Sequence, residues 1–125
     1  MKTKVETLNA PKATGPFSQA VISGNLVFTS EQVYLTPEGK LLEGSIEEQT
    51  HQVMKNLKGI LESAGVTFAD VVKTTIYVTD MGNYGKINEV YGSYFSDPYP
   101  ARETVCVAAL PLGAVLEISM MAVKP

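Results

Sequence analysis

Glu117 is the only charged residue in the apolar run AVLEISMMAV, which extends from Ala114 to Val123. An ionised side chain in such a run must face solvent, pair with an opposite charge or line a site. The preceding run, RETVCVAA (102–109), begins with Arg102, whose planar guanidinium can bind a carboxylate through two parallel hydrogen bonds. A guanidinium that holds an anion and a carboxylate that handles a proton or a water would together form a site for a small organic acid.

Both runs are typical of β-strands, and strand alternation predicts where these charges lie. If the connection turns near residues 110 and 111, Glu117 lies opposite Thr104 and diagonal to Arg102, at roughly 7 to 8 Å between backbone positions. We therefore expect Arg102 and Glu117 on one face of the sheet and close together. The alternative interpretation is a salt bridge at a subunit interface, because paired buried charges are commonly structural.

Four other side chains are weaker candidates. Ser30 follows the run NLVFT and is expected to be a turn hydroxyl unless the fold brings it near Arg102. His51 is expected to be a solvated or packed residue rather than a base, and Lys73 can extend its charged end from a strand into solvent. Cys106 is expected to be a small buried hydrophobic residue, because no His stands beside it in the sequence.

Composition excludes several classes of protein. A chain of 125 residues predicts one domain, residues 1–125, and its net charge of −3 disfavours broad attraction to nucleic acid. One Cys and one His provide no internal disulfide and no Cys/His cluster for a metal. The N-terminal segment lacks the apolar core of a signal peptide, and no run approaches the roughly 18 apolar residues of a membrane helix. We therefore expect a cytoplasmic protein with no metal site and no contact with a membrane.

Hydrophobic patterns and turn residues predict the elements that position the candidate residues. Ser45 and Glu48 form a capping box before an amphipathic helix that ends at Gly65, and Asp80 can cap a second helix that ends before DPYP. The predicted strands cover 2–8, two runs within 19–35 separated by a turn at 24–25, 71–79, 102–109 and 114–123. The order βββαβαββ predicts an α+β sandwich, in which two helices cover one face of a mostly antiparallel or mixed sheet.

The last predicted strand is apolar on both faces. Leu116, Ile118, Met120 and Ala122 form one face, whereas Val115, Ser119, Met121 and Val123 make the other largely apolar. Since two helices can cover only one side of the sheet, we predict that the second face is buried against other copies of the chain. The alternative is a monomer with one hydrated sheet face.

The sequence also resembles the Rid family (RidA, formerly YjgF) nearly from end to end. The resemblance rests on the segments GPFSQAV (15–21), SGNLVFTSEQ (23–32), NLKGILESAG (56–65), DVVKTTIYVTDM (70–81), INEVYGSYF (87–95) and PARETVCVAALPLGAVLEI (100–118). It implies a chorismate-mutase-like fold of the bacillus type, assembled as a homotrimer with the sheets inside and binding clefts between neighbouring chains. It also implies a cofactor-independent deaminase that hydrolyses 2-imino acids, or their enamine tautomers, to 2-oxo acids and ammonia.

The resemblance assigns roles to individual positions. Arg102 matches the arginine that binds the substrate carboxylate, and Glu117 matches the glutamate that orients or activates the attacking water. Ser30 matches a serine of the cleft, and Asn88 matches an asparagine contributed by the second helix. Backbone groups near residues 31 and 104 complete the expected pocket.

Three positions of the expected pocket depart from the family pattern. Phe17 replaces a tyrosine, so its ring can form a wall of the cleft without supplying a hydroxyl. Glu31 replaces the usual glycine after the cleft serine, and Thr104 replaces a cysteine, for which Cys106 is not the equivalent. An added carboxylate at Glu31 is expected to repel anionic substrates or alter the pocket size.

Two other functions remain open at the level of sequence. A small-carboxylate binding or regulatory module would use the Arg102 cleft to capture a 2-oxo acid without releasing ammonia. The ribonuclease activity associated with some relatives fits poorly with an acidic chain that lacks a pair of His residues.

Overall fold

The computed structural model describes residues 1–125, whose six strands form one sheet with two helices on one face. The strands are β1 (Thr3–Val5), β2 (Ala20–Ser23), β3 (Leu26–Thr29), β4 (Val71–Val78), β5 (Ala101–Cys106) and β6 (Leu116–Val123), and the helices are α1 (Ile46–Ser63) and α2 (Tyr84–Gly92). The order across the sheet is β1-β2-β3-β6-β4-β5. The predicted α+β class, the order βββαβαββ and the hairpin between β2 and β3 are confirmed.

The two helices begin in different ways, and a side-chain cap is present at the start of α1 only. The Ser45 hydroxyl accepts a hydrogen bond from the Glu48 amide at 3.1 Å, and the Glu48 carboxylate accepts one from the Ser45 amide at 2.9 Å, so the predicted capping box is present. The prediction that Asp80 caps the second helix is wrong. Asp80 instead caps a 3-10 turn, Met81–Asn83, and α2 begins only after that turn.

The predicted pairing between the last two strands is also wrong. β5 pairs in parallel with β4 alone, and β6 lies between β4 and β3 and runs antiparallel to both. α2 supplies the crossover that a parallel pair requires. The segment 107–115 is long enough to carry the chain past β4 to its other side, so it does not form a hairpin turn.

The hydrophobic core lies between the sheet and α1. As predicted, Leu116, Ile118, Met120 and Ala122 are buried on the helix-covered face, and each is at most 1 % exposed. α1 contributes Val53, Leu57 and Ile60 to the same core, and these side chains are inaccessible to solvent. Neither helix is long and apolar enough to cross a membrane.

The opposite face of the sheet has no covering element. This open face is defined here by Leu26, Phe28, Tyr77, Val105, Glu117 and Met121, which the strand registers place on the side away from the helices. Leu26, Val105 and Met121 remain 37 to 40 % exposed. The predicted assembly through this face stays a prediction.

Asn56 connects α1 to the segment that follows β3. Its buried amide donates hydrogen bonds to the carbonyls of Val33 at 3.2 Å and Leu35 at 2.7 Å. These carbonyls lie outside regular strands, so the side chain supplies donors that a neighbouring strand would otherwise provide. The backbone immediately after Glu31 and Gln32 is thereby held against the core.

Replacing Asn56 with Ala is expected to lower the free energy of unfolding by about 1–3 kcal/mol, because two partly buried carbonyls lose their donor. Chemical denaturation measures this loss. Lys55→Ala, which changes the exposed neighbouring residue on α1, serves as the control and should stay within about 0.5 kcal/mol of the wild type. Equal effects of the two substitutions would contradict a structural role for the Asn56 amide.

Candidate active site

Arg102, the only arginine of the chain, lies on the edge strand β5 beneath α2. Its Nη2 donates a hydrogen bond to the Tyr84 hydroxyl at 2.9 Å. The guanidinium carbon lies 5.6 Å from the ring centre of Tyr84 and 5.1 Å from that of Tyr91, within the range of cation–π attraction. Arg102, Asn88 and Tyr91 line a cavity of about 280 Å³, which presents this cation to solvent.

Two further features belong to the surroundings of Arg102: a hydrogen bond between α2 and β4, and a hydroxyl group on β5. The hydroxyls of Tyr91 and Thr74 are 2.8 Å apart and fasten α2 to the buried face of β4. On β5, the Thr104 hydroxyl is buried and has no hydrogen-bond partner in the chain. A buried polar group of this kind normally has a partner, so the Thr104 hydroxyl is an exception to the usual pairing of buried polar groups. Arg102, Tyr84, Asn88, Tyr91 and Thr104 are called the arginine half-site below.

Glu117 lies elsewhere, on the open face. The backbones of Gln32 and Ile118 exchange hydrogen bonds of 2.9 and 3.1 Å, which places Glu31 and Glu117 as diagonal neighbours on that face. Glu117 is half-buried and Glu31 is exposed. Burial raises the pKa of Glu117, and the Glu31 carboxylate raises it further.

Ser30 directly precedes Glu31 and is hydrogen-bonded to the loop that contains Phe17. The Ser30 hydroxyl donates to the Ser18 carbonyl at 2.7 Å, and the Ser30 amide donates to the Gln19 carbonyl at 3.0 Å. These bonds hold the loop before β2 beside the end of β3, with the Phe17 side chain 54 % exposed. Phe17, Ser30, Glu31 and Glu117 are called the glutamate half-site below.

The expectation that Arg102 and Glu117 share a face of the sheet is wrong. Arg102 is in register with Thr74 on the helix-covered face, whereas Glu117 is in register with Tyr77 on the open face. Because β4 separates the two strands and the registers differ by three residues, their backbones are roughly 14 Å apart. The two functional groups therefore cannot contact one small molecule within a single chain.

The weaker candidates lie apart from both half-sites. His51 Nδ1 is 2.7 Å from the Tyr94 hydroxyl, so His51 is a packed residue, as expected. Lys73 forms a 2.7 Å ion pair with Glu103 on the open face. Cys106 is exposed, so the expectation that it is buried is wrong: it ends an edge strand that lacks a neighbour on one side. No three His, Cys, Asp or Glu side chains are grouped to hold a metal ion.

Tyr84 and Tyr91 are the members of the arginine half-site that the sequence interpretation missed. Aromatic residues at helical spacing are typical of a packed apolar stripe, but the structure places these two rings against a cation. The available signal is their spacing, since Tyr84, Asn88 and Tyr91 recur on one face of a helix. Recognising that face as part of a site also requires the parallel pairing that places Arg102 beneath it.

Comparisons with known proteins cover almost the whole chain. The family described as endoribonuclease L-PSP matches residues 7–124. The mouse protein named 2-iminobutanoate/2-iminopropanoate deaminase is 45 % identical over 121 residues, covering 96 % of this chain and 90 % of its own. Other relatives bear the same enzyme name.

Solved structures of similar proteins have the same fold as this chain. RidA from the Antarctic bacterium Psychrobacter has a TM-score of 0.92 and 43 % identity, covering 97 % of this chain and 98 % of its own. The E. coli protein TdcF with bound serine has a TM-score of 0.92 and 38 % identity, covering 98 and 99 %. The family match, these relatives and the shared fold show that this chain belongs to the Rid (RidA/YjgF) family.

Proposed function

We propose that this protein is a cofactor-independent deaminase that hydrolyses 2-imino acids, such as 2-iminobutanoate and 2-iminopropanoate, to 2-oxo acids and ammonia. The observation that carries the proposal is the pair of complementary half-sites: a solvent-accessible arginine with aromatic neighbours and a half-buried glutamate with a raised pKa. An arginine suits the carboxylate of an imino acid, and such a glutamate suits a water-activating base. Relatives that share 40 to 45 % of its sequence bear the name of this activity.

The active site in this proposal forms between neighbouring chains of a homotrimer. The arginine half-site lies on an edge strand, and the glutamate half-site lies on the uncovered face of the sheet. When the arginine edge of each chain meets the open face of the next, the contact is heterologous and can close into a ring. This arrangement also buries Leu26, Val105 and Met121, and it brings both functional groups to one cleft.

Arg102 acts first by binding the substrate carboxylate. Within the chain its guanidinium makes one hydrogen bond, to Tyr84, so most of its N–H groups are available to a ligand. Two parallel hydrogen bonds to a carboxylate fix both the position and the plane of the substrate. The Asn88 side chain provides a further polar contact on the same side of the cleft.

Glu117 acts second by activating a water. The protonated imine carbon is electrophilic, and its C=N bond accepts a water oxygen while Glu117 takes one proton from that water. Glu117 then returns the proton to the nitrogen and becomes ionised again. As the C–N bond breaks, the Glu117 carboxylate takes the remaining proton of the adduct hydroxyl, so that the 2-oxo group forms, and the departing ammonia takes that proton and leaves as ammonium. A raised pKa brings Glu117 closer to neutral pH, where a carboxylate can both accept and return a proton. Ser30 and the ring of Phe17 border this side of the cleft, with Glu31 at its mouth.

Arg102→Ala is expected to abolish turnover, because the substrate loses its anchoring charge. Glu117→Gln should lower kcat by about 10²- to 10⁴-fold, the usual contribution of general acid–base catalysis, while changing the affinity for unreactive 2-oxobutanoate little. The assay generates 2-iminobutanoate with a threonine dehydratase and follows 2-oxobutanoate formation above the spontaneous rate. Calorimetry with 2-oxobutanoate measures binding.

Lys58→Ala, which removes an exposed cation from α1, is the control for the loss of positive charge and should retain wild-type activity. Full turnover by Arg102→Ala would refute the assignment of the carboxylate-binding residue. Equal losses of turnover and of 2-oxobutanoate binding in Glu117→Gln would assign Glu117 to structure. Binding of 2-oxobutanoate by the wild type without any acceleration of hydrolysis would favour a carboxylate-binding module.

Glu31→Gln is expected to move the acidic limb of the kcat–pH profile to lower pH. Glu117 must be ionised to accept a proton, and the neighbouring carboxylate raises its pKa. Removing that negative charge therefore lets Glu117 ionise at lower pH. Glu62→Gln, an exposed change on α1, is the control, and an acidic limb that is identical in all three proteins would contradict the coupling.

A further inference from the structure

The Tyr84 hydroxyl is the only group in the chain that forms a hydrogen bond with the Arg102 guanidinium. We propose that Tyr84 is a positioning residue, whose hydroxyl holds the Arg102 guanidinium in the orientation that receives the substrate carboxylate. This inference rests on the proposed function, because it concerns how the carboxylate-binding group of that site is prepared. It adds a residue that the family resemblance did not identify.

The contacts of Arg102 divide into one directional bond and two nondirectional ones. The rings of Tyr84 and Tyr91, which lie on one face of α2, attract the guanidinium from 5.6 and 5.1 Å but leave its rotation free. The 2.9 Å bond from Nη2 to the Tyr84 oxygen fixes the plane of the group. A guanidinium with a fixed plane loses less conformational freedom when a carboxylate binds.

Tyr84 is well suited to accept this bond. The Asn88 side chain and the positive charge of Arg102 lower the pKa of Tyr84, as expected for a phenol oxygen that faces hydrogen-bond donors and a cation. The bond occupies one of the five guanidinium N–H groups and leaves the others for the ligand. Tyr84 is 37 % exposed, so its hydroxyl has no role inside the hydrophobic core.

Tyr84→Phe isolates the hydroxyl, because the aromatic ring stays in place. Tyr94→Phe is the matched control, since it removes a phenol hydroxyl that faces His51 rather than Arg102. Because Arg102 is the only arginine, its side chain gives a single set of guanidinium ¹⁵N resonances that need no assignment by mutation. The rotation of the guanidinium can therefore be followed directly by NMR in the protein without ligand.

The wild type and Tyr94→Phe are expected to show slow rotation of the Arg102 guanidinium, and Tyr84→Phe should show fast rotation. In calorimetry, Tyr84→Phe should bind 2-oxobutanoate roughly tenfold more weakly than wild type, in line with the loss of a hydrogen bond to a charged group. The midpoint of thermal unfolding should be unchanged in Tyr84→Phe. An unchanged midpoint separates a positioning effect from a general loss of structure.

Unaltered guanidinium rotation in Tyr84→Phe would overturn the proposal. Freer rotation with unchanged affinity for 2-oxobutanoate would overturn it as well, because the hydroxyl would then hold Arg102 without preparing it for a carboxylate. Failure of the wild type to bind 2-oxobutanoate would contradict the proposed function instead. In that case the NMR comparison still decides whether Tyr84 fixes Arg102.

Discussion

The parallel pairing of β4 with β5 determines where both charged functional groups lie. It requires α2 as a crossover, and this places Tyr84 and Tyr91 directly over Arg102. It also makes β5 the edge of the sheet and puts β4 between Arg102 and Glu117. The separation of the two half-sites within one chain follows from this one pairing, and the proposed active site therefore has to join groups from two chains.

The ionised Glu117 side chain lowers the stability of the folded chain. Glu117 is half-buried beside a like charge, and the causes of its raised pKa include no cation. Such a group opposes folding when it is ionised, and the continuous core beneath it offsets the cost. The same lack of a charged partner leaves the carboxylate free to exchange a proton with water, which a Glu117–Arg102 ion pair within the chain would suppress.

The sequence predicted the strands and helices better than it predicted which strands pair with one another. Ser45, Glu48 and the buried alternation of β6 are local signals, because capping and strand periodicity act over a few residues. The position of β6 beside β3 depends on contacts between residues that are distant in sequence. The predicted pairing of β5 with β6 was wrong for this reason, and it placed Arg102 and Glu117 on one face of the sheet. The role of Tyr84 could not be predicted for the same reason, since an aromatic residue on a helix can be assigned to a site only when the strand beneath it is known.

The most direct test of the account is complementation between two defective variants. Arg102→Ala and Glu117→Gln chains would be unfolded together, refolded as mixed oligomers and assayed for imine hydrolysis, with each variant refolded alone for comparison. If every site joins Arg102 of one chain to Glu117 of the next, random mixing should restore about one quarter of wild-type turnover. Mixed oligomers, verified by mass, with no more activity than the separate variants would contradict a site shared between chains.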